Sequence, residues 1–272
     1  MLYRKFFSTC ILLFITFYLS DQTLFAQQKK DRVLWYKQPA KDWNEALPIG
    51  NGRLGAMIFG GVNEELIQLN EATLWTGGPV DHNPNPAAPL YLQAVRDALF
   101  RDSINEAINL LHKIQGPNSQ MYQPLGDIIL KQQFSGKPSA YYRDLNISTA
   151  TSTTRFSVEG VTYTREIFSS APDQVIIMRL QASKANALNF SVNVHNELAY
   201  RKMVTTCNEL VLKGKARITN DERRSMKPFI YSEESNCSGM RFEFRIKAVA
   251  NDGTVTNTDS SLIIANASEV IL

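Results

Sequence analysis

The chain has 272 residues, 44% of them hydrophobic and 20% charged, with a formal net charge of +3. That length can bury a large core in one or two domains, and the composition is that of an ordinary globular chain. The small net charge, without any long Lys/Arg block, implies neither nucleic acid nor an anionic membrane surface as a partner.

The first 26 residues read as a secretory signal peptide. Arg4 and Lys5 give the basic start, Phe6 to Leu19 the apolar middle, and Ala26 the small residue before the cut. The apolar run is shorter than the roughly 20 residues that span a bilayer, so no anchor is expected after cleavage. The mature chain, 27–272, is expected to be secreted or periplasmic. Cys207 and Cys237 then remain. An exported chain permits a disulfide, but nothing in the sequence brings the two together, so a bridge and two free thiols both stay open. Neither has a ligand spacing to His82, His112 or His195, and no metal or other cofactor is expected.

Val33–Tyr36 is a first short strand, followed by a loop from Gln38 to Glu45 that carries Trp43. Residues 47–79, LPIGNGRLGAMIFGGVNEELIQLNEATLWTGGP, hold seven of the 14 glycines. The pattern predicts a β-hairpin, with strands at Leu54–Phe59 and Glu65–Leu69 around a Gly60–Asn63 turn. The glycines flanking its first strand mark positive φ or close backbone approach. Ile67 and Leu69 share one strand face. Glu64 and Glu65 flank the turn and are expected to be solvated.

The hairpin ends gather polar groups at one rim: Asn51 and Arg53 on one side, Asn70, Glu71 and Trp75 on the other. These five are the candidate substrate-rim or interdomain contacts. Asn51 and Arg53 could dock a neighbouring domain, touch a ligand or support their own turn. Glu71 reads as a hydrogen-bonded strand-end carboxylate or a sugar contact. Trp43 and Trp75 are either core residues or a platform on which the apolar face of a sugar stacks.

Pro79, Pro84, Pro86 and Pro89 break the next stretch into a long loop. Two helices are predicted after it. Leu92, Val95 and Leu99 have helical spacing in the first. The second starts at Ser103, with Glu106 as a capping-box partner, and presents Ile104, Ala107, Ile108 and Leu111 on one face. From Asp127 onward the chain alternates as closely spaced strands, with Glu159-Gly160 as a two-residue hairpin turn and 220–238 as a polar loop. The last strand begins at Glu269 and the sequence stops inside it, which predicts an incomplete reading frame. The expected fold is mainly β: a large antiparallel sandwich with a small inserted helical pair.

No catalytic constellation emerges. Gly50-Asn51-Gly52 precedes a strand and lacks the Gly-Lys-Ser/Thr of a phosphate loop. No carboxylate pair and no Ser-His-Asp set has a recognisable context.

The stretch WNEALPIGNGRLGAMIFGGVNEELIQLNEATLWTGGP resembles the N-terminal domain of glycoside hydrolase family 95, the inverting α-L-fucosidase-like enzymes. YQPLGDIIL at 122–130, the strands from Tyr141 to Leu180 and the strand after Gly239 follow in the same order. The resemblance implies a β super-sandwich normally followed by a helical (α/α)6 barrel that carries the catalytic acids. It therefore places no catalytic residue in this chain. The implied partners are a fucosylated glycan, met by the full-length enzyme, and the barrel itself, with no nucleic acid and no membrane. The fragment alone is expected to be inactive. A free-standing carbohydrate-binding or structural module, and a related disaccharide phosphorylase, are the alternative readings.

Overall fold

The computed structural model describes residues 32–79, 82–116, 119–206, 208–218, 231 and 239–272. The expected leader, Cys207, Cys237 and nearly all of the 220–238 loop lie outside the described residues.

Strand β1 (Val33–Tyr36) leads through a 3₁₀ turn (Trp43–Glu45) into β2 (Leu47–Gly50), β3 (Leu54–Ile58) and β4 (Glu64–Glu71). Helices α1 (Ala88–Phe100) and α2 (Ile104–Ile114) follow. Then come β5 (Gly126–Lys131), β6 (Ser139–Asn146), β7 (Thr151–Val158), β8 (Val161–Ser170), β9 (Val175–Ala182) and β10 (Leu188–His195). The remaining strands are β11 (Ala199–Thr206), β12 (Glu209–Lys215), β13 (Arg241–Lys247), β14 (Val249–Ala250), β15 (Thr254–Asn257), β16 (Ser261–Ala267) and β17 (Glu269–Ile271).

Two seven-stranded antiparallel sheets face each other, in the orders β1-β6-β7-β8-β9-β17-β14 and β15-β16-β10-β5-β4-β3-β2; β11, β12 and β13 form a third, smaller sheet. The expected mainly β sandwich with a helical pair is the fold observed. Period-two alternation builds its core. Phe156, Val158, Tyr163, Ile167 and Leu180 point inward from the first sheet, and Ile58, Ile67, Leu130, Val192 and Ile264 from the second. Phe134, Phe156 and Tyr163 meet as an aromatic cluster with centroids 4.9–5.6 Å apart. Glu159 and Gly160 both have positive φ, +49° and +79°, as the two-residue turn between β7 and β8 requires.

The structure departs from the sequence reading at several points. The hairpin is a three-stranded unit, because β2 pairs with β3 along Leu47↔Ile58 to Gly50↔Gly55. Strands β11 and β15 have no counterpart in the sequence pattern: β11 is interrupted by polar residues, and β15 is a short edge strand. Ser103 does stand at the start of α2, but its side chain makes no capping bond; Glu106 is drawn instead to Arg101, 3.3 Å away.

The largest correction concerns Glu65. It is not a solvated turn charge. The inward parity of β4 places it beside Ile67 and Leu69, at 0% exposure. Its carboxylate accepts from Arg165 Nη1 at 3.0 Å and from the Gly60 N–H at 2.7 Å. Burial pushes this carboxyl above its usual range, against the pull of Arg165 and the Gly60 N–H. Arg165, on β8 of the opposite sheet, also donates to the carbonyls of Gly61 and, at 3.0 Å, Val62. Tyr141 donates to the Gly60 carbonyl at 2.7 Å. Gly60 has φ +73°, and a Cβ there would stand 2.6 Å from the Tyr141 hydroxyl. Positive φ and close approach are thus both realised at this turn.

A second buried arginine repeats the device. Arg143, 1% exposed, donates to the carbonyls of Gln38 at 2.8 Å and Glu45 at 2.9 Å, fastening the segment that carries Trp43. The sheets are also joined covalently at a corner. Only Ser268 separates β16 in one sheet from β17 in the other. Its N–H and hydroxyl both donate to the carboxylate of Asp252, at 2.7 and 2.5 Å.

Arg165→Met leaves a buried carboxylate without its counter-charge, a change that costs about 3–5 kcal/mol. Urea unfolding should show that loss, and the Arg165→Met/Glu65→Gln double variant should regain part of it. A single variant within about 1 kcal/mol of the wild type would show that the pair does not hold the sheets.

Candidate functional site

Strand parity splits the predicted rim in two. Asn51, Arg53 and Glu71 lie at the seam between the two large sheets. The Asn51 amide oxygen accepts from the backbone N–H groups of Arg53 (3.0 Å) and Leu54 (2.8 Å), while its nitrogen donates to the Ser170 carbonyl at 2.8 Å. Asn51 therefore supports its own turn and ties it to the first sheet. Arg53 Nε donates to Gln174 Oε1 at 2.6 Å, and its Nη1 lies 3.4 Å from Glu71. Gln174 has φ +56° and donates back to the Ala171 carbonyl at 2.6 Å. The β8–β9 turn is thus latched to the hairpin.

Glu71 is the hydrogen-bonded strand-end carboxylate. It accepts from the Thr73 N–H at 2.8 Å and the Thr73 hydroxyl at 2.7 Å. Partial burial raises its pKa, but the Thr73 bonds and Arg53 outweigh that and hold the carboxyl below its ordinary value of 4.5. Arg53, Glu71, Thr73 and Gln174 border a cavity of about 650 Å³ whose walls include Leu69, Met178 and Phe244.

Asn70 belongs chiefly to the other face. On the outer side of β4 it stands opposite Gly55, beside a groove of about 550 Å³ lined by Trp43, Met57, Gln68, Tyr122 and Asp127. Gln68 and Asp127 are register partners. Burial is the larger influence on Asp127 and pushes its pKa up, with Glu197 adding to the rise; the Gln68 hydrogen bond and nearby His195 pull the other way. Trp43 and Trp75 are 58% and 42% exposed, so neither is a core residue. Trp75 donates its indole N–H to the Ala72 carbonyl at 2.9 Å and meets Tyr122 edge-on at 6.0 Å.

Gln68, Tyr122 and Asp127 are not among the residues that the sequence singles out. A signal for Gln68 exists, since alternation sets Leu66, Gln68 and Asn70 on the face opposite Ile67. Tyr122 and Asp127 come from a segment more than 50 residues downstream of β4; the bridge to Trp75 brings in the first and the β4–β5 pairing the second. His82 is exposed. His112 contacts Gln115 at 3.1 Å and His195 contacts Glu197 at 3.5 Å. Among the described residues, no group of three or more His, Cys, Asp or Glu is placed to hold a metal ion.

This chemistry provides hydrogen-bonding amides, carboxylates and exposed aromatic rings, on an antiparallel sandwich. Residues 34–272 match the family described as glycosyl hydrolase family 65, N-terminal domain. The chain belongs to that family. Proteins similar to this glycosyl hydrolase N-terminal domain include alpha-L-fucosidase 2 of Arabidopsis thaliana, 38% identical over 188 residues, 68% of this chain and 22% of the relative. Probable alpha-fucosidase A of Aspergillus niger is 30% identical over 177 residues, 62% of this chain and 22% of the relative. The chain thus spans about a fifth of the length of the curated relatives it matches.

The depressed pKa of Glu71 has a consequence for the stability of the domain. Folding favours the ionised carboxylate, so the contribution is present above the ordinary glutamate pKa of 4.5 and is lost as pH falls through the lower folded value. Glu71→Gln should cost about 0.5–1 kcal/mol at pH 7, the scale of a partly exposed ion pair. In urea unfolding at a series of pH values, the gap should close on acidification. A gap that is constant with pH would contradict this.

Proposed function

We propose that this chain is the N-terminal domain portion of an exported, inverting α-L-fucosidase-type hydrolase of family 95. In the full-length enzyme, terminal α-L-fucosyl linkages of a glycan would be cleaved in a helical barrel domain outside this sequence. The similarity to the plant alpha-L-fucosidase 2, at 38% identity, carries the reading. Export rests on the leader-like first 26 residues.

The carboxylates support an accessory role for this domain. Inverting hydrolysis needs one carboxyl that stays protonated and a second that activates water. Glu65 is sealed in the sandwich on Arg165. The two glutamates of the larger cavity are both held ionised, Glu71 as described and Glu243 by Lys213 at 3.0 Å and Arg245 at 2.5 Å. Neither suits the acid's part. The helical pair supports a covering domain. Leu90, Leu99, Phe100, Ile104 and Ile108 are 47–89% exposed, a patch of the kind that marks an interaction surface.

An aryl α-L-fucoside assay on the purified 272-residue chain tests the division of labour. Release at the buffer rate is expected. Turnover comparable to that of the full-length plant relative would overturn it.

A further inference from the structure

The outer groove is not used by anything above. It lies on the solvent face of β2, β3, β4 and β5, away from the seam where Arg53 and Glu71 meet. Its two aromatic walls are built, not incidental. Trp43 rides on a 3₁₀ turn in the segment that Arg143 fastens from the opposite sheet at Gln38 and Glu45, and Asp42 caps that turn by accepting from the Asn44 N–H at 2.9 Å. Tyr122 is braced edge-on by Trp75 and by the backbone bridge between the two residues. Both rings keep substantial exposure, 58% for Trp43 and 38% for Tyr122.

Between them the floor is low and polar. Gly55 offers no side chain, and a Cβ there would meet the Ile49 carbonyl at 3.4 Å and the Asn70 side chain from 3.5 Å as its nearest neighbours. The Asn70 amide borders the space, and no hydrogen bond of its side chain is found among the described residues. Gln68 and Asp127 stand opposite one another in the β4–β5 register and offer donor and acceptor groups to the space. The lining contains no Lys or Arg, so a phosphate, a sulfate or a sugar acid would meet a carboxylate without a counter-charge. The face is not a free strand edge, so an extended peptide has no ladder to join. A volume of about 550 Å³ lies within the range of small-ligand clefts.

We propose that this groove is a binding site for a neutral saccharide of one or two hexose rings, stacked between Trp43 and Tyr122, with its hydroxyls on Asn70, Gln68 and Asp127. It requires neither a second domain nor a reaction, and so stands apart from the fucosidase reading.

Calorimetric and tryptophan-fluorescence titration of the 272-residue chain tests it, with lactose and 2′-fucosyllactose as probes and glucuronate as the charged comparison. At least one neutral sugar should saturate the site with a Kd on the order of 1 mM, and glucuronate should bind at least about tenfold more weakly. Trp43→Ala and Asn70→Ala should each weaken binding about tenfold or more. Trp35→Ala, at an exposed ring on the first sheet, should leave it unchanged. If Trp43→Ala lowers the melting temperature, Asn70→Ala decides, because among the described residues its amide has no hydrogen bond to lose. Absence of saturation by both neutral sugars at about 50 mM, binding retained in Asn70→Ala, or equal affinity for glucuronate overturns the proposal. None of these outcomes touches the fucosidase reading, which is judged by turnover.

Discussion

Two sheets can face each other in many registers if only apolar side chains meet between them. Here the Glu65–Arg165 pair removes that freedom. Arg165 extends from the first sheet and finds, at one point of the second, a carboxylate and two turn carbonyls. Displaced by one residue, it would be buried without them, at a cost that apolar contacts of this size do not offset. Such a pair adds little net stability over a well-packed apolar isostere. Its effect is to make one arrangement acceptable and the alternatives costly. The Gly60–Asn63 turn is drawn over the arginine, and Gly60 follows from that: the backbone comes so close to Tyr141 and Arg143 that a side chain has no room.

The same logic carries outward to both candidate sites. Arg143 fixes the segment before β2, and so sets where Trp43 projects. The Asn51–Arg53 latch fixes the β8–β9 turn against the hairpin, and so closes the seam beside Glu71. A buried cation thus stands behind the Trp43 segment, and the bonds of Asn51 and Arg53 hold the seam. A functional surface on a sheet is supported in this way through the strands rather than along them.

Much of the fold is legible in the residues because antiparallel sheets with buried inner faces write a period of two into the sequence. Strand β7 carries that alternation through Thr154, Phe156 and Val158, and the Glu159-Gly160 turn follows from its neighbours. Most of the departures share one cause. Charge reads locally in a sequence, so Glu65 beside a turn looks solvated, although it shares parity with Ile67 and Leu69. Arg165 sits likewise between Tyr163 and Ile167. A charged residue in phase with a buried stripe signals a partner in phase on the opposing sheet. Sequence proximity groups the rim as one, whereas the pleat sends Asn70 and Glu71 to opposite faces. Tyr122 reaches the groove through its bridge to Trp75, and Asp127 through the pairing of β4 with β5, long-range contacts that no local pattern encodes. The ordinary capping signal at Ser103 yields to an ion pair between Glu106 and Arg101.

The corner at Ser268 bears on how this domain comes apart. With one residue between a strand of each sheet, neither sheet can peel away without dragging the other's register with it. Asp252 pins that residue by both its N–H and its hydroxyl. Opening of β16 is therefore expected to disturb β17, so that hydrogen exchange at this corner couples one sheet to the other. At this corner the two halves of the sandwich are spliced through a single residue.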